Sequence, residues 1–180
     1  PVCYIADKSG NGKHATQSVS AARPVLRQTA GELYYLEFDG VDDALVVTNA
    51  LTFAKQASMW AAVAKVSASD DIERIYEGVA FALQVRYRPD GSIDCAIGNF
   101  TVGSGRLVHN FGNDTDPHVF AFQRDKGSNV ATIRADGVVV TTGTHDQGPQ
   151  TGAVIIGDAN RQHFFGGVIP SSQYLDNENA

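Results

Sequence analysis

A regular alternation of apolar and polar residues, broken by short turns, is the feature that most constrains how this chain folds. In AFALQVRY (80–87) every second residue from Phe81 is large and apolar, and after the turn sequence RPDG the alternation resumes in SIDCAI (92–97). Successive side chains of a β-strand point to opposite faces of a sheet. The Pro and Asp-Gly residues between the runs favour a tight turn. The pattern therefore predicts an antiparallel hairpin with one buried and one solvated face.

The same alternation recurs along most of the chain. HVFAFQR (118–124) and VATIRA (130–135) predict a second hairpin, which turns again at Asp-Gly into VVVTT (138–142). Shorter apolar runs predict strands at LYYLEF, ALVVT, SMWAAVAKV, AVIIG and FFGGVI. A short helix is expected at NALTFAKQ (49–56) and the start of one at the final YLDNENA, whereas DDIERIYEG is expected to be a loop. Many short strands without a sustained helical period predict an all-β fold, an antiparallel β-sandwich with very little helix.

Length and charge bound the class of protein. The 180 residues match one sandwich, so we expect a single domain over 1–180, with a loop-rich entry segment over 1–30. Lys and Arg number 14 and Asp and Glu number 20, giving a net charge of −6. This sign argues against nucleic acid or an anionic membrane as the main partner. No apolar run is long enough for a membrane span. Because the chain begins with Pro, we expect it to be a segment of a longer protein.

The two cysteines, Cys3 and Cys95, leave two interpretations open. Their spacing permits one disulfide, but we favour two buried, inert thiols because unpaired cysteine is usually buried. A structural zinc site is not expected, since the sequence has no Cys-x-x-Cys pair and no Cys/His cluster.

Three aspartates, Asp39, Asp42 and Asp43, lie between two predicted strands in YLEFDGVDDALVV (35–47). In a structural interpretation, Gly40 permits a tight bend and Asp39 accepts hydrogen bonds from nearby backbone N–H groups. In a second interpretation the aspartates bind Ca²⁺, which prefers the carboxylate and carbonyl oxygens that a turn offers. Calcium requires six to eight such ligands, so others would have to come from elsewhere in the fold. We favour the structural turn and keep the metal site as the alternative.

A second polar segment, HNFGNDTDPH (109–118), joins two predicted strands, and IGNFTVGSG (97–105) precedes it. Loops at one end of a rigid sandwich are common binding sites. Sugar recognition combines planar polar groups for the hydroxyls with an aromatic face for the C–H surface, and this region offers both. The alternative is a solvated loop without a ligand. The candidate carbohydrate-binding residues are Asn99, Phe100, His109, Asn110, Asn113, Asp114 and Asp116.

Four sequence segments resemble those of the concanavalin A-like jelly rolls related to laminin G domains, and they occur in the same order. They span residues 7 to 169: DKSGNGKHATQ with RPVL, LEFDGVDDALVV, HVFAFQRDKGSNVATIRADGVVV and VIIGDANRQHFFGGVI. Modules of this family are appended to phage tail proteins, bacterial surface proteins and glycosidases. The rim of the sandwich, where the loops lie, frequently carries calcium in this family. The chain departs from the family at DPHVF, where Pro117 and His118 replace an aromatic residue. The family's terminal helix is also expected to be missing or to lie outside this chain.

The resemblance implies a lectin-like, carbohydrate-binding module of a larger protein that is secreted, on a cell surface or in a phage virion. Its partner would be a glycan or bacterial surface polysaccharide, with Ca²⁺ as the candidate cofactor. The alternative is a structural or assembly module of a tail fibre or tailspike, with other subunits of that assembly as partners. A glycan-degrading enzyme is a third interpretation. We expect no catalysis, because the E-x-D-x-x-E strand of the family's glucanases is absent and no nucleophile or phosphate-loop motif occurs.

Overall fold

The described residues of the computed structural model are 1–32, 34–53, 57–65, 73–78, 83–97, 106–112, 116, 118–125, 128–144, 150–157 and 166–170. They form β-strands and one short 3₁₀ turn, Ser20–Ala22. The strands are β1 (Tyr4–Ile5), β2 (Ala15–Thr16), β3 (Val25–Gln28), β4 (Tyr34–Asp39), β5 (Leu45–Phe53), β6 (Ala57–Lys65), β7 (Glu73–Gly78), β8 (Leu83–Tyr87), β9 (Ser92–Ile97), β10 (Arg106–Asn110), β11 (His118–Arg124), β12 (Val130–Ala135), β13 (Val138–Thr144), β14 (Gln150–Ile156) and β15 (Gly166–Pro170).

These strands form two antiparallel sheets, which confirms the predicted all-β sandwich. The eight-stranded sheet has the order β1-β2-β5-β14-β7-β8-β9-β10, and the seven-stranded sheet has the order β13-β12-β11-β6-β15-β4-β3. Between β4 and β7 the chain passes from one sheet to the other at each step, so many neighbouring strands are distant in sequence. The part of the chain that the structure describes contains no helix long and apolar enough to cross a membrane.

The core lies between the two sheets, where alternate residues of each strand meet. Its largest fully buried apolar side chains come from strands of both sheets: Phe38, Leu45, Ile75, Ile93, Phe122 and Ile133. Burying a side chain of this size stabilises the fold by roughly 1.5–3 kcal/mol. The alternation in the sequence thus identifies the residues that hold the sheets together.

The predicted hairpin of β8 and β9 is confirmed. Val85 pairs with Cys95 and Tyr87 pairs with Ile93, and all four side chains belong to the core. The predicted turn closes through a 3.0 Å hydrogen bond from the N–H of Gly91 to the carbonyl of Arg88. The expectation of a solvated second face is wrong: the polar and small residues there are buried as well, among them Gln84, Asp94 and Ala96.

Two expectations about local structure are wrong. Residues 49–53 continue strand β5 instead of forming a helix, because they pair with β14 as far as Phe53 and Gln150. The segment expected to be a loop contains β7, which lies inside the eight-stranded sheet between β14 and β8. A register shift between Arg74 and Tyr76 brings the consecutive residues Ile75 and Tyr76 into the core. Such a bulge breaks the two-residue period, so the sequence did not read as a strand.

Residues 1–30 contain three short strands with loops between them, and β1 and β3 lie at the edges of the two sheets. The cysteines differ from expectation. Both cysteines are free, so they form no disulfide with each other. Cys95 is buried, and burial raises the pKa of its thiol. Cys3 is exposed, contrary to the prediction of two buried thiols. The predicted helical start at YLDNENA lies outside the described residues.

The two sheets approach each other along one side, where strand β10 faces strand β13. Thr141 Oγ1 donates a 3.3 Å hydrogen bond to the carbonyl of Val108. Gly143 lies so close to Leu107 that a Cβ atom there would be 2.5 Å from Leu107 Cδ2. This side of the sandwich carries the candidate site.

Candidate functional site

Phe111 lies at the corner where β10 ends, among three other aromatic rings. Its centroid is 4.4 Å from that of His109, 5.3 Å from that of His118 and 5.0 Å from that of Phe120. The rings of His109 and Phe120 meet Phe111 edge-on, whereas the ring of His118 is inclined by only 30°. We call these four residues the aromatic cluster. It connects the end of the eight-stranded sheet with strand β11 of the seven-stranded sheet.

Polar groups hold both histidines of the aromatic cluster. His118 Nδ1 lies 2.7 Å from Asp136 Oδ2, and Asp136 Oδ1 accepts a 2.9 Å hydrogen bond from the N–H of Val119. These two interactions hold the pKa of Asp136 below its ordinary value, the contact with His118 having the larger effect. His109 Nδ1 lies 3.4 Å from Thr141 Oγ1. The corner therefore combines an aromatic ring with planar polar side chains, as sugar recognition requires.

The structure brings some of the predicted carbohydrate-binding residues to this corner. His109 and Asn110 are the last residues of strand β10, and His109 faces the seven-stranded sheet. Asn110 is exposed, and its Oδ1 accepts a 2.7 Å hydrogen bond from the N–H of Gly112. Asp116 is exposed shortly before β11. The other predicted residues lie outside the described part of the chain: Asn99, Phe100, Asn113 and Asp114.

Phe111 was missed by the sequence reasoning, although the sequence contains a signal for it. In RLVHNF the alternation places Leu107, His109 and Phe111 on one face. Leu107 belongs to the core and Phe111 packs against it, as that periodicity requires. Extending the strand pattern by two residues would have identified Phe111.

The turn between β8 and β9 touches the same corner. The N–H of Phe111 donates a 3.2 Å hydrogen bond to the carbonyl of Gly91. Gly91 has a φ of 78°, and a Cβ atom at this position would lie 1.9 Å from the carbonyl oxygen of Gly112. Only glycine fits here, because any side chain would collide with backbone. The close approach fixes the turn beside the aromatic cluster.

Next to this turn, Asp94 is fully buried and holds three arginines. Its Oδ2 accepts hydrogen bonds from Nε of Arg86 at 3.0 Å and of Arg88 at 2.7 Å. Its Oδ1 accepts two from Arg106, from Nε at 3.1 Å and from Nη2 at 2.9 Å. We call these four residues the arginine cluster. It lies on the face of β8, β9 and β10 that points away from the core.

Strand register assembles the arginine cluster. Arg86 lies directly opposite Asp94 on the neighbouring strand, Arg88 follows directly after the end of β8, and Arg106 comes from β10 on the other side. Such pairing is invisible in the sequence, where Asp94 is one acidic residue in an alternating strand. No role for these four residues could therefore be predicted from the sequence.

The buried polar face continues toward strand β7. Arg74 Nε lies 3.5 Å from Glu77 Oε2, and Gln84 Nε2 donates a 3.4 Å hydrogen bond to Glu77 Oε1. All three side chains are buried. The second face of the hairpin is therefore lined by buried polar side chains that lie next to one another.

The aspartates between β4 and β5 form the structural turn that the sequence favoured. Asp39 Oδ1 accepts hydrogen bonds from the N–H groups of Val41 at 2.8 Å, Asp42 at 3.2 Å and Asp43 at 3.4 Å. In return, the N–H of Asp39 donates a 3.0 Å hydrogen bond to Asp43 Oδ2. Gly40 has a φ of 75°, as a glycine in a tight bend allows.

The same turn brings three carboxylates close enough together to share one cation. One carboxylate oxygen from each of Asp39, Asp42 and Asp43 lies within 4.8 Å of the others, a spacing that ligands about 2.3–2.6 Å from one ion can adopt. Asp43 is buried, and burial raises the pKa of its carboxyl, with the charges of Asp39 and Asp42 adding to the effect. A cation would offset this repulsion.

The sequence matches no protein-family model, and no curated protein is significantly similar to it. Solved structures share its fold at low sequence identity. A heptameric SAP-like pentraxin from Limulus polyphemus is 12% identical with a TM-score of 0.54, over 76% of this chain and 72% of that one. The CBM40 module of the Ruminococcus gnavus IT-sialidase is 16% identical with a TM-score of 0.50, over 66% of this chain and 74% of that one.

A Trypanosoma rangeli sialidase in complex with sialic acid is 12% identical with a TM-score of 0.55. It aligns with 94% of this chain but only 32% of its own length. At such identities the likeness concerns the fold, and these neighbours agree with the two-sheet jelly-roll architecture described above.

Proposed function

We propose that this chain is a non-catalytic, lectin-like module that binds carbohydrate at the corner formed by the aromatic cluster and Asn110. The observation that carries the proposal is the placement of Phe111 between two histidines at one end of a rigid sandwich, beside an exposed amide. The ring offers apolar surface, and the imidazole and amide groups offer hydrogen bonds to hydroxyls. The fold shared with a CBM40 module supports the same function.

Non-catalytic binding is supported by two of the buried carboxylates in the described part of the chain, which already contact arginines. Asp94 is occupied by three arginines and Glu77 contacts Arg74. A glycosidase needs one carboxylic acid and one carboxylate facing the substrate in a cleft.

We propose further that the module belongs to a larger secreted, cell-surface or virion protein. We also propose that Ca²⁺ bound by Asp39, Asp42 and Asp43 orders the turn between β4 and β5 at the edge of the sandwich.

A glycan and bacterial-polysaccharide array tests the proposal. The protein is probed in millimolar calcium and again with excess chelator. We expect binding to at least one glycan, and a Phe111→Ala variant is expected to lose most of it while retaining its circular dichroism spectrum. Val138→Ala, a change at an exposed valine at the start of β13, serves as the control. Absence of binding by the wild-type protein to every glycan would refute carbohydrate binding.

An assembly module is the second candidate, favoured by one observation. Val119, Val138 and Val139 are all exposed around the turn between β12 and β13. The N–H of Asp136 in this turn donates a 2.9 Å hydrogen bond to the carbonyl of Val119, which places Val119 beside the turn. Exposed apolar patches often mark protein contacts. Sedimentation analysis tests this candidate: a stable oligomer that ignores glycans would support it, and a monomer would argue against it.

A further inference from the structure

We propose that the arginine cluster is the part of the carbohydrate site that recognises an anionic group, so that the module binds saccharides bearing carboxylates or sulfates. This inference rests on the proposed function and narrows its ligand class. Its evidence is the charge, exposure and position of Arg86, Arg88 and Arg106.

The cluster gathers three arginines around one buried carboxylate. Asp94 contributes one negative charge against three positive charges from Arg86, Arg88 and Arg106. Asp90, in the turn beside Arg88, adds one more negative charge, and its own carboxylate oxygen Oδ1 is bound by Ser92. In a protein with a net charge of −6, three arginines this close together form a local concentration of positive charge that can attract an anionic ligand.

The arginines differ in how much of each side chain is accessible. The exposed fractions are 13% for Arg86, 18% for Arg106 and 32% for Arg88. Arg88 is held to Asp94 through Nε, and Asp94 is its hydrogen-bond partner among the described residues. Its two terminal nitrogens can therefore meet an incoming oxyanion. A guanidinium fork suits the planar carboxylate and the sulfate group, to which it can donate two parallel hydrogen bonds.

The surface beside Arg88 has the other features that a sugar requires. Along the outer face of β10, alternate residues are Arg106, Val108 and Asn110. Val108 is opposite Asp94 and is 40% exposed, and Asn110 is exposed at the corner of the aromatic cluster. A cation, an apolar side chain and an amide thus follow one another over a single strand. Asn110, at the end of β10, belongs both to this strip and to the proposed carbohydrate site.

Binding of three saccharide probes tests the inference by titration calorimetry. The probes are an oligogalacturonate, which carries carboxylates, a sulfated dextran oligosaccharide and a neutral dextran oligosaccharide of similar length. We expect at least one charged probe to bind at least tenfold more tightly than the neutral probe, and to bind more weakly at higher ionic strength. The carboxylate and sulfate probes show which anionic group is preferred.

Two variants of Arg88 locate the binding. Arg88→Gln should weaken binding of the charged probe at least tenfold, and Arg88→Lys should restore only part of it, because lysine keeps the charge but loses the fork. Both variants should fold, since Arg86 and Arg106 still donate three hydrogen bonds to Asp94. The control is Arg27→Gln, which removes an exposed, ion-paired arginine of strand β3.

The outcomes separate this inference from the proposed function. Tighter binding to the neutral probe, or unchanged binding by Arg88→Gln, would overturn the anionic specificity while leaving carbohydrate binding intact. Equal losses in the Arg27 and Arg88 variants would also overturn it, because the effect would then be one of net charge. If no saccharide binds to the wild-type protein, charged or neutral, the proposed function fails together with the inference.

Discussion

Asp94 shows how one residue can organise three strands. It is fully buried, and each of its oxygens accepts two hydrogen bonds from arginines of β8 and β10. A buried carboxylate is tolerated only when its charge is compensated in this way. The stability that Asp94 contributes therefore depends on all three arginines together, because the arginines repel one another once the carboxylate charge is removed.

Replacing this carboxylate should be costly. Asp94→Asn leaves three guanidinium groups close together, and we expect the free energy of unfolding to fall by about 3 kcal/mol or more. Urea denaturation measures the difference. The control is Glu37→Gln in the exposed ion pair with Arg27, where solvent screening leaves little to lose. Similar losses in the two variants would contradict the role assigned to Asp94.

Arg124, at the end of β11, contrasts with Asp94: it is a buried charged residue whose hydrogen-bonding groups are not all satisfied. It is 3% exposed, and neither terminal nitrogen has a hydrogen-bond partner in the part of the chain described here. Burial lowers the pKa of its guanidinium. Arg124→Met keeps the length of the side chain and removes the unsatisfied donors, so we expect a gain of roughly 1–3 kcal/mol in the free energy of unfolding. Denaturation by urea checks this, and a loss of stability would contradict it.

At the residue scale, the sequence identifies those side chains whose role depends on local pattern. The core residues of β8 and β9 follow from alternation, and Asp39 follows from turn chemistry. The arginine cluster depends on which strands become neighbours and in which register. No local rule supplies that information, so these residues could not be predicted.

At the scale of elements, the stability of the turn beside the candidate site should depend on one glycine, Gly91. Gly91 and Gly137 have similar φ values, 78° and 83°, but a Cβ atom would collide with Gly112 only at the first position. Gly137→Ala should therefore cost only about 1–2 kcal/mol for the left-handed backbone, and Gly91→Ala should cost clearly more. Thermal denaturation of both variants tests this. Equal shifts in Tm would show that the close approach to Gly112 is relieved without cost.

The turn between β4 and β5 gives a test of calcium. If it binds the ion, millimolar calcium should raise the Tm of the wild-type protein, and Asp42→Asn should abolish the rise. Asp42 is suited to the test because the internal hydrogen bonds of the turn use its N–H and not its carboxylate. Asp7→Asn is the control, since Asp7 accepts hydrogen bonds within its own loop from Ser9 and Lys13. An unchanged wild-type Tm in calcium would leave these aspartates with a structural role alone.

Elements were predicted well where their alternation is regular. The hairpin of β8 and β9 and strands β11 and β12 have the predicted positions. Strand β7 was missed because its bulge buries two consecutive residues. The end of β5 was missed because pairing with β14 outweighs a weak helical tendency. The errors thus occur where long-range pairing decides local structure.

At the scale of the whole molecule, several carboxylates make stability depend on pH. Hydrogen bonds lower the pKa of Asp7 to about 2 from an ordinary 3.8, chiefly through Ser9, and those of Asp90 and Asp136 are lowered as well. A group whose pKa is lower in the folded state contributes stability above its unfolded value. That contribution is lost as the pH falls through the folded value. Asp43 has a raised pKa and acts in the opposite direction above pH 3.8.

We therefore expect the stability of the protein to fall as the pH decreases from about 4 to about 2. Thermal denaturation as a function of pH measures the slope. Asp136→Asn should flatten it, because the carboxyl held by His118 and Val119 no longer titrates. A slope that is steeper in this variant would contradict the lowered pKa of Asp136.

The different surroundings of the two cysteines have a consequence for observing motion in this protein. The thiol of Cys3 is exposed, whereas the thiol of Cys95 is buried in strand β9, directly after Asp94. A thiol-specific reagent should modify Cys3 at once and Cys95 only when the middle of the eight-stranded sheet opens. The slow phase of labelling then reports how often the strands that carry the arginine cluster separate. If an anionic saccharide bridges those strands, its presence should slow the labelling of Cys95 and leave that of Cys3 unchanged.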